Sequence, residues 1–154
     1  MKPQNALTFL ACLQTLATFQ GTIPDKTQEK INEAGKLLTT DTQAAISLLR
    51  QAVRSYEKLS QHYLTVYDVL LPRYEEQKKA KTLIEDDDEN DATPNYFLEN
   101  LLPPALPKLG EILTKLNPAE ALKQELSSAT NKPPEERSSD ENTLVEIFMG
   151  VPLF

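Results

Sequence analysis

The sequence predicts an all-α protein: a bundle of four or five helices with one long central helix, an acidic loop and a partly disordered C-terminal tail. Three observations carry that prediction. Apolar residues recur at intervals of three and four along most of residues 1–128, and no useful stretch alternates with the period of two that a strand needs. Only four glycines stand among 154 residues, and none sits in a hairpin-turn dipeptide. Of eleven prolines, eight fall between Pro94 and Pro152, so residues 1–90 should hold the longer uninterrupted elements.

Ala6, Leu7, Leu10, Leu13, Leu16 and Ala17 lie at helical spacing, and Gly21 with Pro24 closes the segment. An amphipathic helix is predicted from about Pro3 to Gln20. Pro24 suits the first turn of a second helix, on which Ile31, Ala34, Leu37 and Leu38 form a narrow apolar stripe. Thr40 and Gln43 then match a capping box, with Asp41 adding negative charge at the positive end of a helix.

Leu49, Ala52, Tyr56, Leu59, Tyr63, Val66 and Leu70 follow at alternating intervals of three and four. That spacing describes the seam of one long third helix over 41–71, ended or kinked near Leu71 by Pro72. "RYEEQKKAKTLI" continues it as a mostly polar helix.

Glu85 to Asp91 holds six acidic residues in seven positions, which repel one another and stay solvated, giving an acidic loop over 85–93. Thr93 and Pro94 can open a short helix, which "LPPALP" should break. Leu106, Leu109, Ile112, Leu113 and Leu116 make another short amphipathic piece. Asn117, Pro118 and Glu120 supply cap, first-turn proline and an acidic third position for a last helix to about Ser127. Residues 129–143 show no apolar periodicity and read as a disordered linker. Residues 144–154 then form an apolar C-terminal peptide, and eight of the twelve residues 143–154 are apolar.

Composition narrows the function. Residues 1–81 carry 11 Lys/Arg and 8 Asp/Glu, a net of +3, whereas residues 82–154 carry 5 and 15, a net of −10; together they give −7. Such a chain is poorly suited to binding nucleic acid alone, because phosphate neutralisation by cations dominates that affinity. No segment reaches the ~18–20 apolar residues of a membrane span. The N-terminal apolar run is interrupted by Thr8, Gln14, Thr15 and Thr18 and lacks a small-residue cleavage site, so a cytoplasmic location is expected.

One cysteine, Cys12, and one histidine, His62, leave little material for a nucleophile–base pair, a disulfide framework or a zinc site. The acidic run fails the calcium-loop pattern, since Asp91 stands where Gly is required and Phe97 where Glu is required. No enzyme activity, metal or cofactor is expected.

The leading expectation is therefore a non-catalytic helical adaptor or accessory subunit. It would bind a protein partner through Tyr56, Tyr63 and Tyr67 on the bundle and through Leu144, Ile147, Phe148, Val151, Leu153 and Phe154 of the tail, since tyrosine combines apolar area with a polar tip. A second expectation is a small helical subunit of a larger nucleic-acid-handling complex, with Arg50, Arg54, Lys58, Arg73, Lys78 and Lys79 facing phosphate. A third is a helical ribonuclease centred on His62.

Arg54 and His62 loosely resemble the Arg–His pair of helical ribonucleases, but seven residues separate them here instead of four to six. The acidic linker ending in "PLF" is loosely similar to the tails of bacterial single-strand DNA-binding proteins, which recruit other proteins. "GVPLF" also looks like a sliding-clamp peptide, with Gly150 where that pattern has Gln.

Overall fold

The computed structural model describes residues 3–85 and 98–150. All regular elements among these residues are helical. They are α1 (Pro3–Thr18), α2 (Asp25–Leu37), α3 (Thr42–Ser55), α4 (Glu57–Glu85), α5 (Leu98–Leu113), α6 (Pro118–Asn131), a 3₁₀ turn (Pro134–Glu136) and α7 (Ser139–Gly150). The all-α prediction holds, but the described residues carry seven α-helices instead of four or five.

The largest difference concerns the long third helix. The chain leaves the helical conformation at Tyr56, whose φ of −108° and ψ of 119° are extended. The seam over 41–71 is therefore divided between α3 and α4. Ser55 donates from Oγ to Ala52 O at the end of α3, while the Tyr56 carbonyl accepts from Ser60 N to start α4. One extended residue thus serves both ends, and Leu49, Ala52, Leu59, Tyr63, Val66 and Leu70 remain buried on both sides of the corner. Heptad spacing alone cannot distinguish a straight helix from two helices meeting at a corner that preserves the buried face.

The central position belongs to α1. Ala6, Leu7, Phe9, Leu10, Ala11, Cys12, Leu13 and Leu16 are buried, as are Gln14 and Thr15. A helix buried around most of its circumference packs on several neighbours, and α1 touches α3, α4, α5, α6 and α7. Thr15 donates to Ala11 O at 2.6 Å, which satisfies its buried hydroxyl within the helix. The apolar face expected for α1 is thus the visible part of a wider buried surface.

The helix continues past Pro72 as expected for "RYEEQKKAKTLI", whereas "LPPALP" does not make the break the sequence suggested. α4 passes through Pro72 and α5 through Pro103, Pro104 and Pro107. All four prolines are exposed. The carbonyls left without a backbone donor lie on the outer side of each helix, where water can satisfy them. The two short helices expected on either side of "LPPALP" are consequently one helix from Leu98.

α2 crosses α5 at two glycines. A Cβ on Gly35 would lie 2.8 Å from Leu113 Cβ and 3.0 Å from Gly110 O, and one on Gly110 would lie 2.9 Å from Gly35 O. The backbones approach too closely there for any side chain. Asn32 Nδ2 completes the junction by donating to Leu113 O at 2.6 Å and Lys115 O at 2.8 Å, which caps the end of α5.

The caps predicted at α3 and α6 can be compared directly. Asn117 Oδ1 accepts from Glu120 N at 3.2 Å with Pro118 opening α6, as the sequence suggested. At α3 the cap is Asp41, which accepts from Ala44 N at 3.2 Å, and not Thr40. The acidic loop from Asp86 and the Thr93–Pro94 cap lie outside the described residues.

Residues 129–143 carry more structure than expected. They hold the end of α6, the 3₁₀ turn and the start of α7. Arg137 Nε donates to Ala129 O at 2.7 Å and to Lys132 O at 3.1 Å, covering carbonyls at the end of α6. Ser138 and Glu141 form a reciprocal capping box: Ser138 N donates to Glu141 Oε1 and Glu141 N donates to Ser138 Oγ, each at 3.2 Å. Lys132 Nζ lies 3.0 Å from Glu141 Oε2. α7 then places Leu144 and Ile147 in the same core as α1, with half-buried Phe148 packed against it.

Candidate functional site

The α3–α4 corner brings polar and aromatic residues together over a shallow cleft. On α3, Arg50 and Arg54 lie one turn apart near the C-terminus, where cations complement the negative end of the helix dipole. On α4, Tyr63 and Tyr67 lie one turn apart with Leu64 beside them, and Thr8 of α1 completes the wall. The cleft has a volume of about 210 Å³.

Each group is held in place. Arg54 Nε donates to Ser60 Oγ at 3.2 Å across the corner, which fixes its guanidinium against α4. The Arg50 guanidinium lines the same cleft as the Tyr63 phenol and acts on it electrostatically. The Tyr63 and Tyr67 rings are 5.9 Å apart and inclined at 34°. Tyr63 is buried, and Tyr67 is half-buried. Burial pushes the Tyr63 phenol up to about 12, aided by the Cys12 and Tyr67 groups and opposed by Arg50. Tyr63 is therefore a neutral donor at physiological pH. The phenolic proton is available to an acceptor in the cleft. No carboxylate among the described residues lies within ion-pair distance of Arg50 or Arg54.

The corner gathers residues from two of the expected sets, the tyrosines and the basic stripe, but not all of either. Tyr56 is at the corner itself, half-buried and edge-on to Phe19 at 6.4 Å, and does not line the cleft. On one continuous helix Arg50, Arg54 and Lys58, at successive intervals of four, would share a face; the break at Tyr56 puts Lys58 on α4 instead. Arg73 lies farther along α4, and the side chains of Lys78 and Lys79 fall outside the described residues. Thr8, Ser60 and Leu64 were not among the expected site residues. Nothing in their spacing reveals them, because the corner that recruits them is a tertiary feature.

His62 occupies the other side of the corner. Thr18 Oγ1 donates its only proton to Gln14 O at 2.7 Å, so His62 Nε2–H donates to Thr18 Oγ1, also at 2.7 Å. The Phe19 ring lies 6.0 Å from the imidazole, and partial burial lowers its pKa. These contacts tie α4 to the end of α1, where Lys123 Nζ of α6 also donates to Phe19 O. Cys12 is buried within α1, and burial, with Arg50 opposing, raises its thiol to about 12. A thiol so shielded is a core group and a poor nucleophile.

The tail residues divide as well. Leu144 and Ile147 are core residues and Phe148 is half-buried, while Val151, Leu153 and Phe154 fall outside the described residues. Among the described residues no helix is long and apolar enough to cross a membrane, and no group of three or more His, Cys, Asp and Glu could hold a metal ion. No family model matches the chain, and no curated protein and no solved structure matches it.

Proposed function

We propose that the protein is a non-catalytic helical adaptor or accessory subunit that holds a protein partner at the α3–α4 corner. The observation that carries this reading is the convergence of Arg50, Arg54, Tyr63 and Tyr67 on one cleft. Tyrosine and arginine are the side chains that most often anchor protein interfaces, because they combine contact area with several directed hydrogen bonds. Leu64, 44 % exposed beside the cleft, adds apolar area at its rim. The bundle serves as the platform, and α7 belongs to that platform through Leu144 and Ile147.

The test compares wild-type protein with Arg54→Ala and Tyr67→Ala as immobilised baits in extract of the native cell. Circular dichroism establishes that each bait is folded. A protein retained by the wild type in near-stoichiometric amount and lost from both variants is the expected result. Identical retention by all three baits contradicts the reading.

A further inference from the structure

We propose that the cleft at the α3–α4 corner recognises a phosphoryl group, carried on a phosphorylated side chain of the protein partner. The inference rests on the adaptor reading and specifies what that partner must present. It follows from the donors, the charge, the size of the cleft and the charge of the whole chain.

The walls supply donors. Arg54 uses Nε on Ser60, which leaves its terminal nitrogens to the cleft. Arg50 lines the cleft beside Tyr63, and Tyr63, Tyr67 and Thr8 each carry a hydroxyl proton to donate. Among the described residues no acidic side chain lines the cleft. Guanidinium groups suit the tetrahedral array of phosphoryl oxygens, which they can engage in pairs.

The charges match a dianion better than a monoanion. Arg50 and Arg54 are like charges at positions i and i+4, an arrangement that destabilises a helix. A bound anion removes that repulsion. A phosphorylated side chain carries about −1.5 to −2 at neutral pH and offsets both guanidiniums, whereas one carboxylate offsets only one of them.

Size and overall charge restrict what carries the phosphoryl group. About 210 Å³ is smaller than the roughly 300–1,000 Å³ of sites that enclose a cofactor or a drug-sized ligand. It accommodates a phosphoryl head and the first atoms of its carrier, and leaves a nucleotide largely outside. A net charge of −7 opposes an extended polyanion such as nucleic acid, whose affinity grows with the number of phosphates neutralised. A single phosphorylated side chain on a protein meets only the local cations.

The test titrates isotope-labelled full-length protein with the N-acetyl amides of phosphoserine, phosphotyrosine and glutamate, and with inorganic phosphate, following amide and arginine Nε–H resonances. The phosphorylated probes should shift Arg54 Nε–H and the amides of residues 63–67. At least one should bind about tenfold or more tightly than the glutamate probe. Arg50→Ala and Arg54→Ala should each weaken that binding by about tenfold, the scale of one charge-assisted hydrogen bond. Arg54→Lys should restore part of it. Equal or tighter binding of glutamate overturns the phosphoryl assignment, as does binding indifferent to both arginines.

A second arm treats the captured native partner with phosphatase, and loss of capture is expected. Capture that survives phosphatase but is lost in Arg54→Ala overturns the phosphoryl inference and leaves the adaptor reading standing. Capture that is indifferent to Arg54→Ala overturns the adaptor reading itself.

Discussion

Tyr63 joins the buried core to the cleft. Its ring packs in the heptad-spaced seam, and it also lines the cleft that Arg50 borders. Sequence spacing placed Tyr63 correctly on the buried face but could not place it beside Arg50, because Arg50 belongs to a different helix. The pH dependence follows. In the unfolded chain the phenol ionises near 10, whereas the folded protein keeps its proton to about 12. Across that window the unfolded state has lost a proton that the native state retains, so stability falls as pH rises. Cys12 acts in the same direction from about 9 to about 12. Tyr63→Phe, which removes the titrating hydroxyl and keeps the ring in the core, should therefore change stability at neutral pH by about 1 kcal/mol or less. Its stability should decline less steeply between pH 10 and 12, with Cys12 left as the remaining contributor. Denaturant unfolding at a series of pH values measures both effects, and an unchanged alkaline slope contradicts the assignment.

Among the elements, those with local signals were legible and those made by tertiary contact were not. Asn117–Pro118 starts α6 because cap, fixed φ and acidic third position are all written in four consecutive residues. Ser138-Ser-Asp-Glu141 is equally local, and its capping-box spacing is the signal that α7 begins inside a stretch otherwise read as linker. The polar composition of residues 129–143 obscured it, since the apolar residues α7 buries come only afterwards. The break at Tyr56 has no such signal: there is no Gly or Pro, and the buried face is continuous through it. Ser138→Ala removes one half of the capping box and should cost about 1 kcal/mol. Because α7 contacts α5, α6 and α1, the loss should show as faster amide exchange at Leu144–Phe148, with little change at Leu59–Leu70. Uniform change across both segments would mean that α7 is not a separately opening unit.

For the molecule as a whole, the main correction to the sequence reading is the identity of the central helix. α1 occupies that place, with α3 and α4 wrapped around it as a corner and α5, α6 and α7 packed on its other sides. This arrangement leaves Leu144 and Ile147 in the core and puts the arginine–tyrosine cleft at the α3–α4 corner. It also makes the cleft a composite of three helices, which explains why two separate residue sets in the sequence, tyrosines and cations, become one site.

The most direct test of that site is a resonance-by-resonance comparison of the free protein with its complex with the native partner. Perturbations centred on Thr8, Arg50, Arg54, Tyr63, Leu64 and Tyr67 are predicted. Perturbations confined to α6 and α7, with that corner unchanged, would contradict the account.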